Sequence, residues 1–191
     1  MVFRTDLALE ARELLEKDIG GTDYFTQRYG DVTLTRLKIK TPEAAGKTGK
    51  PEGTYLTFDV PPFSDDFRDP AARIELIGKE LASLLPQRGL ILVAGLGNTE
   101  ITPDNLGPKT AKGVLATRHI TGELLYSVTQ KLRPAALIVV DALASRRLDR
   151  LGCTVQVSDT GISPGSGVGN ARPKIDRQTM GVPVVSMGVP T

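Results

Sequence analysis

The sequence predicts an α/β domain with a mainly parallel sheet and a site at one edge of that sheet. Three observations carry the prediction. Leu137-Ile138-Val139-Val140 is an apolar, β-branched run that ends on Asp141 and continues into Ala142-Leu143-Ala144, the pattern of a strand buried on both faces. Leu90-Ile91-Leu92-Val93-Ala94 repeats the pattern and leads through Gly95-Leu96-Gly97-Asn98 to Thr102-Pro103-Asp104. Around these runs, strand-length apolar stretches alternate with helical periodicities, which builds βαβ units.

The elements follow in order. Residues 7–17 place Leu7, Ala11, Leu14 and Leu15 on one helical face, with Glu10, Arg12 and Glu13 off it, and Gly20-Gly21 closes the helix. Val32, Leu34, Leu37 and Ile39 alternate with polar residues but slip at Thr35-Arg36, which predicts a strand with a bulge or bend. Residues 41–53 are rich in Pro, Gly and Lys and read as a loop. Residues 55–60 form a second strand, so that 31–60 makes a small β-hairpin extension. Asp69-Pro70 starts a helix whose apolar face is Ile74, Ile77, Leu81, Leu84 and Leu85.

From Leu90 onward a strand–loop–helix order takes over. A strand at 90–94 precedes the Gly95–Gly107 loop and a helix to about Arg118. A helix at 123–132, a strand at 136–140, a short helix at 144–151 and a strand at 154–157 follow. A Gly-rich loop fills 158–173 and a last strand spans 182–187. Two helices meet at Thr121-Gly122 with no strand between them, which points to a segment missing near 120–121, and a chain that stops just after a strand points to a part missing after 191.

Composition narrows the chemistry. The 191 residues suit one domain, 1–191, and a hydrophobic content of 40% with 24% charged residues is globular. A formal net charge of +2 gives no case for a nucleic-acid partner. No apolar run is long enough for a membrane span and no signal-peptide pattern opens the chain, so a cytoplasmic location is expected. The single cysteine, Cys153, allows no internal disulfide and is expected to pack as a small hydrophobe. The single histidine, His119, limits any Ser-His-Asp site to itself and rules out a multi-histidine metal site.

Asp104 and Asp141 each follow a strand and precede a predicted helix. Each alone reads equally well as a helix cap. Together at one sheet edge they can share a proton, with like charge raising one pKa, and activate water as a general base. Gly95, Gly97 and Asn98 begin like a phosphate loop but lack its third glycine, and Gly165, Gly167, Gly169 and Asn170 are not followed by a Walker lysine. Either loop presents N–H groups to an anion, or is simply a tight turn. Asp159 adds a carboxylate at the start of the second loop. Arg146 and Arg147 either hold Asp141 ionised, bind an acidic substrate, or form surface ion pairs. His119 is a helix C-terminal residue or, with the two aspartates, a metal ligand; no cofactor is otherwise indicated.

These stretches resemble the germination proteases of spore-forming bacteria, endopeptidases that degrade small acid-soluble spore proteins. The matching blocks are Arg4-Thr5-Asp6-Leu7-Ala8, Gly95-Leu96-Gly97-Asn98, Thr102-Pro103-Asp104, Leu106-Gly107-Pro108-Lys109 and Thr117-Arg118-His119. Further on they are Asp141-Ala142-Leu143-Ala144-Ser145-Arg146-Arg147, Ser158-Asp159-Thr160-Gly161-Ile162, residues 164–170 and Gly188-Val189-Pro190-Thr191. The resemblance implies a three-layer phosphorylase/hydrolase-like fold similar to hydrogenase maturation proteases. It implies a self-processing zymogen, a homotetramer in the spore core, and catalytic aspartates at Asp104 and Asp141. The family has a Gly-rich segment after the His119 block and continues past Thr191.

The resemblance also implies cleavage after an acidic residue and before an apolar residue and alanine. Thr5-Asp6-Leu7-Ala8 has that form, so Asp6-Leu7 is the expected self-processing bond and 1–6 the end of a propeptide. Asp6 reads otherwise as a cap on the first helix. The rival functions are a nucleotide- or nucleoside-binding α/β protein using the glycine loops, a metal-dependent peptidase, and a spore protein without catalysis.

Overall fold

The computed structural model describes residues 5–15, 19–62, 70–114, 125–165 and 172–191. In chain order the elements are α1 (Ala8–Glu13), β1 (Thr22–Tyr29), β2 (Val32–Ile39), α2 (Pro42–Thr48), β3 (Gly53–Asp59), α3 (Pro70–Ser83), β4 (Ile91–Gly95), α4 (Leu106–Gly113), α5 (Leu125–Leu132), β5 (Ala136–Leu143), β6 (Thr154–Ser158), α6 (Arg177–Met180) and β7 (Val184–Pro190). One seven-stranded sheet runs β1-β2-β3-β6-β7-β5-β4.

The α/β class holds, but the mainly parallel sheet does not. Only β4–β5 and β5–β7 pair parallel; β1–β2, β2–β3, β3–β6 and β6–β7 are antiparallel. A parallel neighbour needs a long crossover, and the join from β5 to β6 holds only a 3-10 turn, Leu148–Arg150, where the sequence predicts a helix over 144–151. β6 therefore enters against β3 and β7 in the opposite sense. The expected hairpin at 31–60 is also absorbed into this sheet: β2 and β3 pair antiparallel, and β3 bonds onward to β6.

The slip at Thr35-Arg36 is not a bulge. β2 pairs without interruption on both sides, Thr35 facing Thr26 and Thr57, and Arg36 facing Phe25 and Leu56. The alternation breaks because the strand serves two cores. Val32 and Leu34 pack with Leu56, Phe58, Val157 and α3. Leu37 and Ile39, on the opposite face, pack with Ala8, Ala44 and Tyr55 beneath α1 and α2. Helices thus lie on both faces of the sheet. A third cluster, including Leu137, Val139, Val184 and Met180, lies under α5 and α6.

Two elements escape the sequence reading. β1 is exposed along most of its length and has no apolar alternation to betray it; its existence rests on pairing with β2 across Gly30-Asp31. Residues 42–48 are a helix, not a loop. Thr41 accepts a hydrogen bond from the Ala44 N–H, Pro42 occupies the first turn, and Gly49 takes the left-handed conformation at φ 66°. The cap and stop signals were all in the letters. Cys153 is half-buried, its thiol donating to the Leu151 carbonyl at 3.3 Å.

Candidate functional site

Asp141 sits inside β5 rather than at its end, since Ala142 and Leu143 continue the ladder against Val189 and Pro190. The register aligns Asp141 with Gly188, Gly188 with Gln156, and Gln156 with Thr57. Residues paired directly across a sheet point to the same face, so Asp141 and Gln156 share a face with only a glycine between. A side chain at Gly188 would come within 2.6 Å of the Asp141 carbonyl and of Leu143.

Asp104 ends a 3-10 turn, Thr102–Asp104, held against the ends of β4 and β5. The Leu96 N–H donates to the Val140 carbonyl at 2.8 Å, and the Asn98 N–H to the Asp104 carbonyl at 3.1 Å. Thr191 closes the turn from outside, its hydroxyl donating to the Pro103 carbonyl at 2.7 Å. Gly95 and Gly97 serve this packing rather than a phosphate. A Cβ on Gly95 would stand 1.9 Å from the Gly107 carbonyl oxygen, and one on Gly97 1.9 Å from the Asp104 carbonyl oxygen. Asn98 turns its amide oxygen back to the Glu100 N–H at 2.9 Å.

Gly97 also has φ 120°, which L side chains rarely adopt. Gly97→Ala is expected to displace the Asp104 turn and to cost about 2 kcal/mol. Thermal unfolding measures the second effect, and the Asp141 carboxyl signal in NMR the first.

Asp141 is 7% exposed. Burial pushes its carboxyl up to about 6, against the N–H of Ala142, which favours the ionised form; the charges of Asp104 and Asp6 push it further up and Arg172 opposes them. Asp141 of β5 is therefore acted on by the charges of an aspartate from the 102–104 turn and of a third, Asp6, from the N-terminal segment. Asp6 pairs with the residue beyond β5: its N–H donates to the Ala144 carbonyl at 2.9 Å, and its carboxylate accepts from the Ala144 N–H at 2.8 Å. It does not cap α1, whose N-cap is Leu7 without a side-chain bond.

The carbonyl of Asp6 accepts from Lys50 Nζ at 3.0 Å and from Gln156 Nε2 at 3.2 Å. Gln156 Oε1 in turn accepts from the Ala8 N–H at 2.7 Å, so one side chain brackets Leu7, which is fully buried. Burial lowers the pKa of the Lys50 ammonium, while the negative charges of Asp6 and Glu10 resist the change. Beside this segment opens a cleft of about 410 Å³. It is lined by Tyr55, Gln156, Ser158 and Ser186 of the sheet, by Asp6 and Lys50, and by residues 161–163 with Lys174, Asp176 and Gln178. Burial pushes the Tyr55 phenol up to about 12, so it stays a donor, bonded to the Pro51 carbonyl at 2.8 Å.

The other expected residues do different work. Arg147 pairs with Asp149 on the surface, the commonest fate of such a residue, and neither Arg146 nor Arg147 is among the charges acting most strongly on Asp141. Their backbone N–H groups instead donate to Glu10, at 2.8 and 3.3 Å. Asp159 ties β3 to β6 by accepting from the Thr54 N–H at 2.7 Å. Gly165 turns at φ 73°. His119, Gly167, Gly169 and Asn170 lie outside the described residues. Among the described residues no three His, Cys, Asp or Glu side chains gather as a metal would require. No helix among them is long and apolar enough to cross a membrane.

Sequence reasoning missed Lys50, Gln156, Arg172 and Glu10. The first three carry no motif, and their places depend on strand register and chain path. Glu10 was placed on the solvent side of its helix but is 1% exposed.

By class the chain is an endopeptidase, as its relatives show. The germination protease family model matches residues 4–122 and 120–191, and the chain belongs to the germination protease family. The germination protease of Caldanaerobacter subterraneus subsp. tengcongensis is 38% identical over 222 residues, covering 99% of this chain and 68% of that protein. Those of Clostridium tetani and Bacillus mycoides are each 34% identical over 229 residues, covering 100% and 98% of this chain and 70% and 62% of theirs.

Proposed function

We propose that the chain starts the breakdown of small acid-soluble spore proteins at germination, with Asp104 and Asp141 activating the attacking water. The observation that carries this reading is the buried Asp141, raised to about 6 and acted on by the charge of Asp104. Two interacting carboxylates can share one proton, and Asp141 is the member whose proton is held up to about pH 6. The ionised member takes a proton from water as its oxygen bonds to the peptide carbonyl carbon. The protonated member gives its proton to the amide nitrogen as the carbon–nitrogen bond breaks, leaving a carboxylic acid and an amine. The polar cleft beside Asp6 offers an extended peptide the sheet face on which Asp141 lies.

In the same reading the chain is a zymogen that cuts itself between Asp6 and Leu7, residues 1–6 being propeptide. It works as a homotetramer in the spore core, on a three-layer fold of the hydrogenase maturation protease type. A segment present in relatives near 120–121 fits the family match, whose two pieces meet at 120–122. Among the described residues nothing favours the nucleotide-binding alternative, the first glycine loop being packed against backbone. A purified acid-soluble spore protein incubated with chain that begins at Leu7, and examined by mass spectrometry, tests the proposal. New termini after acidic residues are expected; an intact substrate, or cuts elsewhere, refutes it.

A further inference from the structure

The segment around Leu7 is gripped from three directions, and nothing in the assignment of Asp104 and Asp141 accounts for the grip. A loosely attached leader needs no half-buried lysine. Here Lys50 Nζ reaches two successive carbonyls, Thr5 at 2.8 Å and Asp6 at 3.0 Å, from a half-enclosed wall of the cleft. Gln156 spends both ends of its amide on the backbone either side of Leu7. Register places Gln156 on the face of Asp141, one glycine away. The Ala144 N–H, three residues beyond Asp141, receives the Asp6 carboxylate.

We propose that Lys50 and Gln156 are the clamp that holds and polarises the carbonyl of the Asp6–Leu7 peptide bond for hydrolysis, and that the Ala144 N–H selects an acidic side chain at position 6. This rests on the reading of Asp6–Leu7 as the self-processing bond. The chemistry is that of an oxyanion site. When water adds to the Asp6 carbonyl carbon, negative charge grows on the oxygen that already accepts from an ammonium and an amide N–H. The carbon–nitrogen bond then breaks, Asp6 keeps the new carboxylate, and the Leu7 nitrogen leaves as an amine with a proton from the aspartate pair. Donors placed before the reaction need no rearrangement during it, and the ammonium is worth more there than in water because the site is half-buried. Gln156 adds extension: by bracketing Leu7 it holds the backbone at the bond extended, with Leu7 at φ −77° and ψ 122°.

Asp6-Leu7 is the sole Asp-Leu pair in the sequence, so it can be watched alone. Full-length chain made by cell-free synthesis with carbonyl-¹³C aspartate and ¹⁵N leucine gives one carbonyl–nitrogen correlation, and hydrolysis of the bond abolishes it. Lys50→Met and Gln156→Glu are expected to move the Asp6 carbonyl signal upfield and to slow its disappearance roughly a hundredfold each. Gln156→Glu keeps the acceptor for Ala8 and removes the donor to Asp6 but adds a carboxylate, so Gln156→Met, which removes the donor without adding charge, is run beside it and circular dichroism checks that both fold. Lys50→Arg restores most of the rate, and Asp6→Asn, which carries no Asp-Leu correlation and is followed by mass spectrometry of the N-terminus, slows it. If the signal decays in the parent and equally fast in Lys50→Met and Gln156→Glu, the clamp is refuted while self-processing stands. An unmoved carbonyl signal in both variants also refutes it. If the parent signal never decays, the self-processing reading fails and the clamp falls with it.

Discussion

Asp141→Asn is expected to abolish proteolysis and, at neutral pH, to make the protein more stable. The two effects have one cause. In the folded chain the carboxyl is held near 6, above its ordinary 3.8, because burial and the negative charges of Asp104 and Asp6 disfavour ionisation. An acid with a raised folded pKa binds its proton more tightly folded than unfolded. Its contribution is therefore complete below the unfolded pKa and lost as pH rises through the folded value. Above about pH 6 the native state carries a buried charge that Asn does not. The variant's melting temperature is expected above the parent's at pH 7, with the gap closing as the pH falls from 6 towards 3.8. Activity is expected to fall by roughly 10²–10⁴-fold, the usual loss for a general acid or base.

Asp104→Asn is the companion. It should lose activity on the same scale and lower the pKa of Asp141, because one of the charges raising it is gone. A carboxyl titration by NMR on each variant separates these outcomes from general damage. Full activity in either variant, or an Asp141 pKa unmoved by Asp104→Asn, would dissolve the pair.

Glu10→Ala should be the most destabilising single change at a distance from the aspartates, by about 3–5 kcal/mol, because it strips the partner from a buried network. Glu10 accepts from the hydroxyls of Thr5 and Ser145, both at 2.6 Å, and from the N–H groups of Arg146 and Arg147. Arg150 Nε lies 3.6 Å from it, and the same guanidinium pairs with Glu13 at 2.7 Å. Without Glu10, buried donors of the 145–147 turn lose their acceptor, and α1 loses its tie to the end of β5. Burial by itself would raise the Glu10 pKa, but the bonds from Ser145, Thr5, Arg146 and Arg147 outweigh it and hold the carboxyl below 4.5. A lowered acid pKa stabilises the fold above the unfolded value and is lost as pH falls through the folded one. The parent should therefore lose stability in acid below about pH 4.5, a loss that Glu10→Gln removes in part. Melting curves from neutral to acid pH measure both changes. A Glu10→Ala protein as stable as its parent would contradict the network.

The two buried strands were legible because burial on both faces leaves an unbroken apolar run, as at 137–140. α3 was legible from its proline start and its periodic leucines. β2 was half legible: its apolar residues mark the strand, but their slip reads as a bulge or bend when it reflects one strand packing a core on each face. α2 was written in Thr41, Pro42 and Gly49 and misread on composition. β1 was not legible, since an exposed edge strand is defined by its neighbour's hydrogen bonds and not by its own side chains.

The site divides the same way. Local sequence determined that Asp104 follows a strand and a glycine-rich turn, that Asp141 closes an apolar β-branched run, and that Asp6 precedes an apolar residue and alanine. Those are short-range facts, set by backbone conformation and by what each residue type allows. Only the folded chain could decide that Asp6 lies against the end of β5, that Gln156 stands one glycine from Asp141, and that Glu10 faces inward. Register and sheet order settle such matters, and both come from hydrogen bonds between strands far apart along the chain, which no window of neighbouring letters contains.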